Sequence, residues 1–246
     1  MPIYDRPVRL LFREMTSSIA LKQDDIITRQ NVLSWFREHY PKIKRATVTA
    51  HLIRLSTNAQ SRIHHHPKAG EDDLFFQMDE GRYRLYNLTT DPAPIYVDVT
   101  TTKPVADPPG LTPDLTGEFA YESDLRAFLS KNLSLVEPGL RLYEEEGISG
   151  IEFPAGERFI DLLALDAANR YVVIELKVSR GYDRVVGQLL RYVAWIAENH
   201  AEPSQSVRGV IVAREISEDL LLACSGLAHI RLFEYQLAVS LEEVRR

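Results

Sequence analysis

Three charged residues stand where charge is costly. Asp161 interrupts an apolar run from Phe159 to Leu165, and Glu175 and Lys177 interrupt a second run from Tyr171 to Val178. Both runs read as β-strands, and the segment from Asp166 to Arg170 between them holds turn formers. The midpoint of positions 161 and 175 falls at 168, inside that turn. A hairpin without a bulge therefore sets Asp161 opposite or nearly opposite Glu175, and strand alternation puts Glu175 and Lys177 on one face. Two chemistries fit such a patch. One is a buried ion pair between Lys177 and a carboxylate. The other is a divalent cation that relieves the repulsion between two carboxylates, with the lysine steadying a water or a developing phosphorane charge. These residues alone leave both open.

The elements around the hairpin must position these groups. Residues 118–132 predict a helix, with Leu125, Phe128 and Leu129 on one face, and Arg184 to Glu198 predicts a stronger one. In the latter, Val186, Leu189, Leu190 and Val193 face a core, while Gln188, Tyr192 and Trp195 run along an adjacent face. A strand is expected just after Gly139, a buried strand at 207–213, a helix at 217–227 and a last strand at 229–235. The order α-β-β-β-α-β-α-β is that of an α/β domain with a mixed sheet. Glu137, before Pro138 and Gly139, is read as shaping a turn.

Upstream the pattern changes. Residues 7–17, 28–40 and 45–57 predict three helices, with Thr28 as an N-cap and Pro41 ending the second. A β-hairpin over 74–86 follows, with Gly81 in its turn. Three helices and a hairpin form the order of a winged helix-turn-helix. No Asp or Glu occurs from His39 to Gly70, a stretch that holds five of the seven histidines. Val48, Leu52 and Leu55 form the inward stripe of the third helix. Thr47, Ala50, His51 and Arg54 point the other way, as on a helix that enters a major groove. Lys42, Lys44, Arg45 and Arg54 are the expected backbone contacts, with Thr47 and His51 as base contacts. His64, His65 and His66 are expected in an exposed loop, since three adjacent histidines cannot converge on one metal.

Six of the thirteen prolines fall within residues 87–117, a composition that predicts a semi-rigid linker. The expected division is a small domain at 1–90, a linker at 91–117 and an α/β domain at 118–246. The net charge of −6 argues mildly against a nucleic-acid partner, but the local basic segment reverses that. Cys224, the single cysteine, reads as a buried residue and fits a reducing cytoplasm. No membrane span or secretory leader is visible, and a cytoplasmic location is expected.

Asp161, Glu175-Leu-Lys177 and the helix-borne Gln188 and Tyr192 resemble the PD-(D/E)xK, restriction endonuclease-like, nuclease superfamily. More narrowly, residues 118–213 resemble the catalytic domain of the NucS/EndoMS archaeal and actinobacterial endonucleases. Five blocks carry the resemblance in order, centred on Glu122, Glu137, Asp161, Glu175-Leu-Lys177 and Gln188 with Tyr192. The resemblance implies that Asp161 and Glu175 hold Mg²⁺ or Mn²⁺, with Glu122 as an outer metal or water ligand. It also implies that Lys177 positions water and that Gln188 supports the site or the DNA backbone. The products would be 5′-phosphate and 3′-hydroxyl ends. Arg180, Arg184 and Arg191 give this site a basic approach for duplex DNA, and a homodimer is expected if both strands are cut.

The upstream segment departs from that family, whose mismatch endonucleases carry a different N-terminal domain. The expectation is therefore a restriction-like enzyme directed by sequence or base modification through its winged helix. A repair nuclease for mismatched, branched or single-stranded DNA is the alternative, and a non-catalytic DNA-binding regulator is the second.

Overall fold

The computed structural model describes residues 4–79, 81–96, 121–178 and 184–237. Arg180 and the linker beyond Tyr96 lie outside the described residues.

The N-terminal part contains α1 (Val8–Ser18), β1 (Ile27–Thr28), α2 (Arg29–His39) and α3 (Arg45–Arg54). A 3-10 helix (Gln60–His65) and the hairpin β2 (Phe75–Asp79) and β3 (Arg82–Leu85) follow. Thr28 caps α2 reciprocally: its hydroxyl accepts from the Asn31 amide at 3.1 Å, and the Asn31 side chain accepts from the Thr28 amide at 3.0 Å. The helix ends before Pro41, whose ring cannot continue the hydrogen-bond ladder. The hairpin turns at Gly81, where φ is +96°, and β1 completes a three-stranded sheet in the order β1-β3-β2. Val8, Leu11, Phe12, Val32, Phe36 and Leu52 are among the residues that close the core of this part. The chain stays tied to it beyond position 90. The Ile95 amide donates to Thr57 O at 2.9 Å, and Arg84 pairs with Asp91.

The C-terminal part is built on a six-stranded mixed sheet. Its elements are α4 (Glu122–Lys131), β4 (Arg141–Leu142), β5 (Glu144–Glu145), β6 (Ile148–Ser149) and β7 (Ile151–Ala155). They continue with β8 (Arg158–Leu165), β9 (Tyr171–Lys177), α5 (Val185–Asn199), β10 (Val207–Ala213), α6 (Glu218–Cys224) and β11 (Ile230–Glu234). The strand order is β11-β10-β9-β8-β4, with β7 also pairing β8. Strands β9, β10 and β11 run parallel, whereas β8 is antiparallel to β9, β7 and β4. Leu189, Val193 and Ile196 of α5 cover one face, and Leu125 and Leu129 of α4 cover the other. Cys224 is buried, as expected. Among the described residues, no helix is long and apolar enough to cross a membrane.

Two short strands, β5 and β6, and the edge strand β7 went unpredicted. Strands of two residues leave no alternation to read. Pro154 argues against a strand by composition, and it is tolerated here because β7 pairs on one side only.

The largest departure concerns α3. Val48, Leu52 and Leu55 face the N-terminal core as predicted, but the opposite side is buried as well. Ala46 and Ala50 join the core of the C-terminal sheet, and Thr47, His51 and Arg54 are 5%, 0% and 4% exposed. The small side chains let the helix lie close against the C-terminal part, where it packs on β6, β7 and α5. Arg54 bridges Asp72 and the carbonyl of Glu146, its NH1 donating to the latter at 2.8 Å. Thr47, His51 and Arg54 are therefore corrected from DNA contacts to interface residues.

The histidine run is corrected too. His65 is fully buried in the 3-10 helix, and its Nδ1 accepts from the Ser149 amide at 3.3 Å. Burial holds His51 and His65 well below the usual imidazole range, at about 3, so both are neutral near pH 7.

Candidate active site

Strands β8 and β9 pair through Leu165–Tyr171, Ala164–Val172, Leu163–Val173 and Leu162–Ile174. One step further along the same register sets Asp161 opposite Glu175, as the turn midpoint predicts. At that step the Asp161 side chain takes up a backbone donor, its Oδ2 accepting from the Leu176 amide at 3.0 Å. The charged patch thus sits where the central hairpin ladder ends.

Glu175 is 1% exposed. Its Oε1 accepts from Lys177 Nζ at 3.0 Å and from Gln188 Nε2 at 2.5 Å. Its Oε2 is buried and has no hydrogen-bond partner among the described residues. Lys177 Nζ also reaches the Leu176 carbonyl at 2.8 Å and Glu122 Oε1 at 3.4 Å. Glu122 opens α4, and Gln188 lies on the first turns of α5, so two helices on opposite faces of the sheet deliver their side chains to one strand end. Gln188 is steadied by the Tyr192 hydroxyl at 3.4 Å. All five predicted catalytic residues, Asp161, Glu175, Lys177, Gln188 and Glu122, are therefore gathered.

The electrostatics of the cluster favour a positive charge beside its carboxylates. Burial, and next the Asp161 charge, push the Glu175 carboxyl up to about 7. Burial likewise raises Asp161, against the opposing pull of the Leu176 amide, Lys177 and Arg126. For Lys177 burial works against the charge, but Glu175, Glu122 and Asp161 outweigh it and keep the ammonium protonated. An unpartnered buried oxygen on Glu175, next to a second carboxylate that resists ionisation, is a donor set suited to a hard divalent cation. Asp161 and Glu175 fit that role. Glu122 meets the pair through Lys177, whose Nζ lies 3.4 Å from its Oε1. Among the described residues, no three acidic, histidine or cysteine side chains converge as a ligand set. The three-carboxylate expectation is accordingly reduced to a pair.

Two residues escaped the sequence reading. Arg126, one turn after Glu122 on α4, donates through NH1 to Asp161 Oδ1 at 3.1 Å. Its NH2 donates to Glu152 Oε1 at 2.5 Å. The i, i+4 relation of Arg126 to Glu122 was the available signal. Glu152 gave none, because it lies in the unpredicted β7.

The predicted basic residues divide. Arg191 of α5 and Arg184, the residue just before α5, are exposed and stand at helical spacing from Gln188. Lys42 and Arg45 are exposed on the N-terminal part, while Lys44 pairs with Glu202 across the domain junction at 3.1 Å. Glu137 accepts from Arg208 at 2.9 Å and Arg231 at 2.7 Å, a clamp away from the carboxylate pair.

A mixed sheet that presents Asp161, Glu175 and Lys177 at the end of its central hairpin, flanked by α4 and α5, has the PD-(D/E)xK class of nuclease fold. More narrowly, residues 121–232 match the family model described as Endonuclease NucS C-terminal domain, and residues 7–85 match a domain of unknown function, DUF7669. The chain is 34% identical to Endonuclease NucS of Methanopyrus kandleri over 100 residues, 41% of this chain and 35% of that protein. It is 30% identical to Endonuclease NucS of Methanocaldococcus jannaschii over 96 residues, 39% and 34% of the two chains. The chain thus spans only about a third of the length of these relatives. The crystal structure of a repair endonuclease from Pyrococcus abyssi overlays with a TM-score of 0.39 at 22% identity, covering 48% of each chain.

Proposed function

We propose that this protein is a divalent-metal-dependent DNA endonuclease of the repair type, acting on mismatched, branched or single-stranded DNA. The observation that carries the reading is the buried, unpartnered Oε2 of Glu175 beside Asp161 and Lys177. An unsatisfied buried acceptor costs about 1–3 kcal/mol, a cost that a cation at this oxygen would offset. The relatives that match the C-terminal part are named as endonucleases.

A cation held by Asp161 and Glu175, Mg²⁺ or Mn²⁺ by the hardness of the donors, would supply Lewis-acid polarisation of the scissile phosphodiester. The remaining work falls to the side chains. The Lys177 ammonium donates to a water or to a phosphoryl oxygen on which charge develops. Glu122 restrains that ammonium, and Gln188 fixes the Glu175 carboxylate. Arg184 and Arg191 offer phosphate contacts on the approach.

The burial of α3 favours structure-directed over sequence-directed cutting. The restriction-like expectation depended on this helix reading bases in a major groove, and its Thr47, His51 and Arg54 are enclosed by the C-terminal part. The winged-helix order then serves as a docked accessory, with Lys42 and Arg45 left at its surface.

A panel of matched, mismatched, branched and single-stranded substrates, incubated with Mg²⁺ or Mn²⁺, tests the proposal. Cleavage of irregular substrates at least about tenfold above a matched duplex of the same sequence is expected. Site-specific double-strand cuts in matched DNA would restore the restriction reading, and DNA binding without cleavage would support the regulator.

A further inference from the structure

The catalytic carboxylate Asp161 is connected to the N-terminal part through a chain of polar contacts. The β7–β8 ladder pairs Ile151 with Leu162 and Phe153 with Ile160, so Glu152 falls across from Asp161. Glu152 has φ of +45°, a left-handed backbone that a non-glycine residue adopts only when its surroundings hold it there. The contacts on its carboxylate identify those surroundings. Oε1 accepts from Arg126 at 2.5 Å, and Oε2 accepts from the Ser61 hydroxyl at 2.6 Å. His64 Nε2 lies 3.7 Å from the same Oε2. Ser61 and His64 belong to the 3-10 helix of the N-terminal part, which the His65–Ser149 contact fastens to β6.

One guanidinium is therefore shared by two carboxylates with different tasks. Arg126 NH1 sits on Asp161 Oδ1, and the Leu176 amide occupies Oδ2. While both contacts persist, the positive charge of Arg126 competes with any cation for Asp161. Glu152 offers the guanidinium a second anchor, and Ser61 keeps that anchor turned toward it.

We propose that Arg126 and Glu152 are positioning residues that set the availability of Asp161 to a divalent cation, and that Ser61 of the N-terminal part holds this pair in place. Resting on the metal-site reading above, the inference adds a function for the docked N-terminal part. Glu152 shares the guanidinium with Asp161 and can draw it off Oδ1 when a cation binds there, whereas loss of Glu152 or of its Ser61 contact leaves the guanidinium to Asp161.

The test measures Mn²⁺ binding to the full chain without DNA, by calorimetry or by the electron paramagnetic resonance of free Mn²⁺. Arg126→Met is expected to bind Mn²⁺ about tenfold more tightly, because a full positive charge leaves the side of a ligand. Glu152→Gln is expected to bind it about tenfold more weakly. Ser61→Ala changes no charge, so it separates the relay from simple electrostatics. It is expected to weaken binding about threefold in the wild-type background and to have no effect in Arg126→Met.

An equal effect of Ser61→Ala in both backgrounds, or none in either, overturns the inference. So does Arg126→Met binding Mn²⁺ no more tightly than wild type. Melting temperatures identify variants that fail to fold, and Arg126→Gln replaces Arg126→Met if needed. Mn²⁺ binding that survives Asp161→Ala would instead overturn the metal-site reading itself.

Discussion

Arg54 of α3 donates to the main-chain carbonyl of Glu146 at 2.8 Å, and its other nitrogens grip the buried Asp72. This contact turns the side of α3 that could have faced DNA into a junction between the two parts of the chain. Gly147 has a matching constraint, since a Cβ there would stand 2.3 Å from Arg54 NH1. Arg54→Ala is expected to destabilise the protein by about 3 kcal/mol, because it strands the Asp72 carboxylate in a dry site. Thermal or urea unfolding measures the loss. DNA affinity of the folded variant should match wild type.

Acid should destabilise the protein well before ordinary carboxylates titrate. Burial depresses His51 and His65 to about 3 and His200 to about 4. The unfolded chain takes up protons at these sites below about pH 6.5 and the folded chain does not, so stability falls as pH drops through that window. Each histidine contributes a slope of up to about 1.4 kcal/mol per pH unit. Glu175 opposes them: folded, it keeps its proton up to about 7, so metal-free protein gains stability from it as pH falls from 7 toward 4.5. Asp161, raised by burial as well, acts in the same direction as Glu175; the three histidines outnumber the two carboxyls, and urea unfolding from pH 7 to 5 should show a net loss. Glu175→Gln should steepen that loss, because it removes an opposing group.

Arg184, just before α5, and Arg191, on it, are exposed on either side of the half-buried Gln188. Replacing each by Ala should weaken DNA binding to all substrates alike. The slope of log K against log salt should shrink by about one per residue. Binding titrations at several salt concentrations check this.

Gln188 acts through Glu175, which it reaches at 2.5 Å. Gln188→Ala should lower kcat by about 10- to 100-fold, the usual cost of losing a partner that orients a metal ligand. The protein should stay folded, and cleavage rates at saturating substrate measure the effect.

The hairpin was legible because its constraints are local. The turn fixes the register, the register places Asp161 against Glu175, and strand alternation adds Lys177. The Gln188–Tyr192 contact was legible from helical spacing for the same reason. The side of α3 that bears Ala46, Ala50 and Thr47 was not. Small and polar residues that permit close approach suit a DNA groove and a protein interface equally, and only the tertiary partner decides. Glu152 and Arg126 were hidden for a related reason. Neither position stands out by type or spacing alone, and the two meet only once β7 folds beside β8 and α4 lies at the sheet end. His65 looked like part of a polar loop, yet a run of histidines says nothing about which ring turns inward.

The central claim is that Asp161, Glu175 and Lys177 form a metal-dependent phosphodiesterase site. Its most direct measurement is the rate of DNA cleavage with Mg²⁺ or Mn²⁺ by wild type, Asp161→Ala and Lys177→Ala, each repeated with a chelator. Wild type should cut only with metal. Lys177→Ala should lose about 10²- to 10³-fold, the cost of removing one donor aimed at developing charge, and Asp161→Ala should lose at least as much. Cleavage by either variant at the wild-type rate, or by wild type in the chelator, would contradict the account.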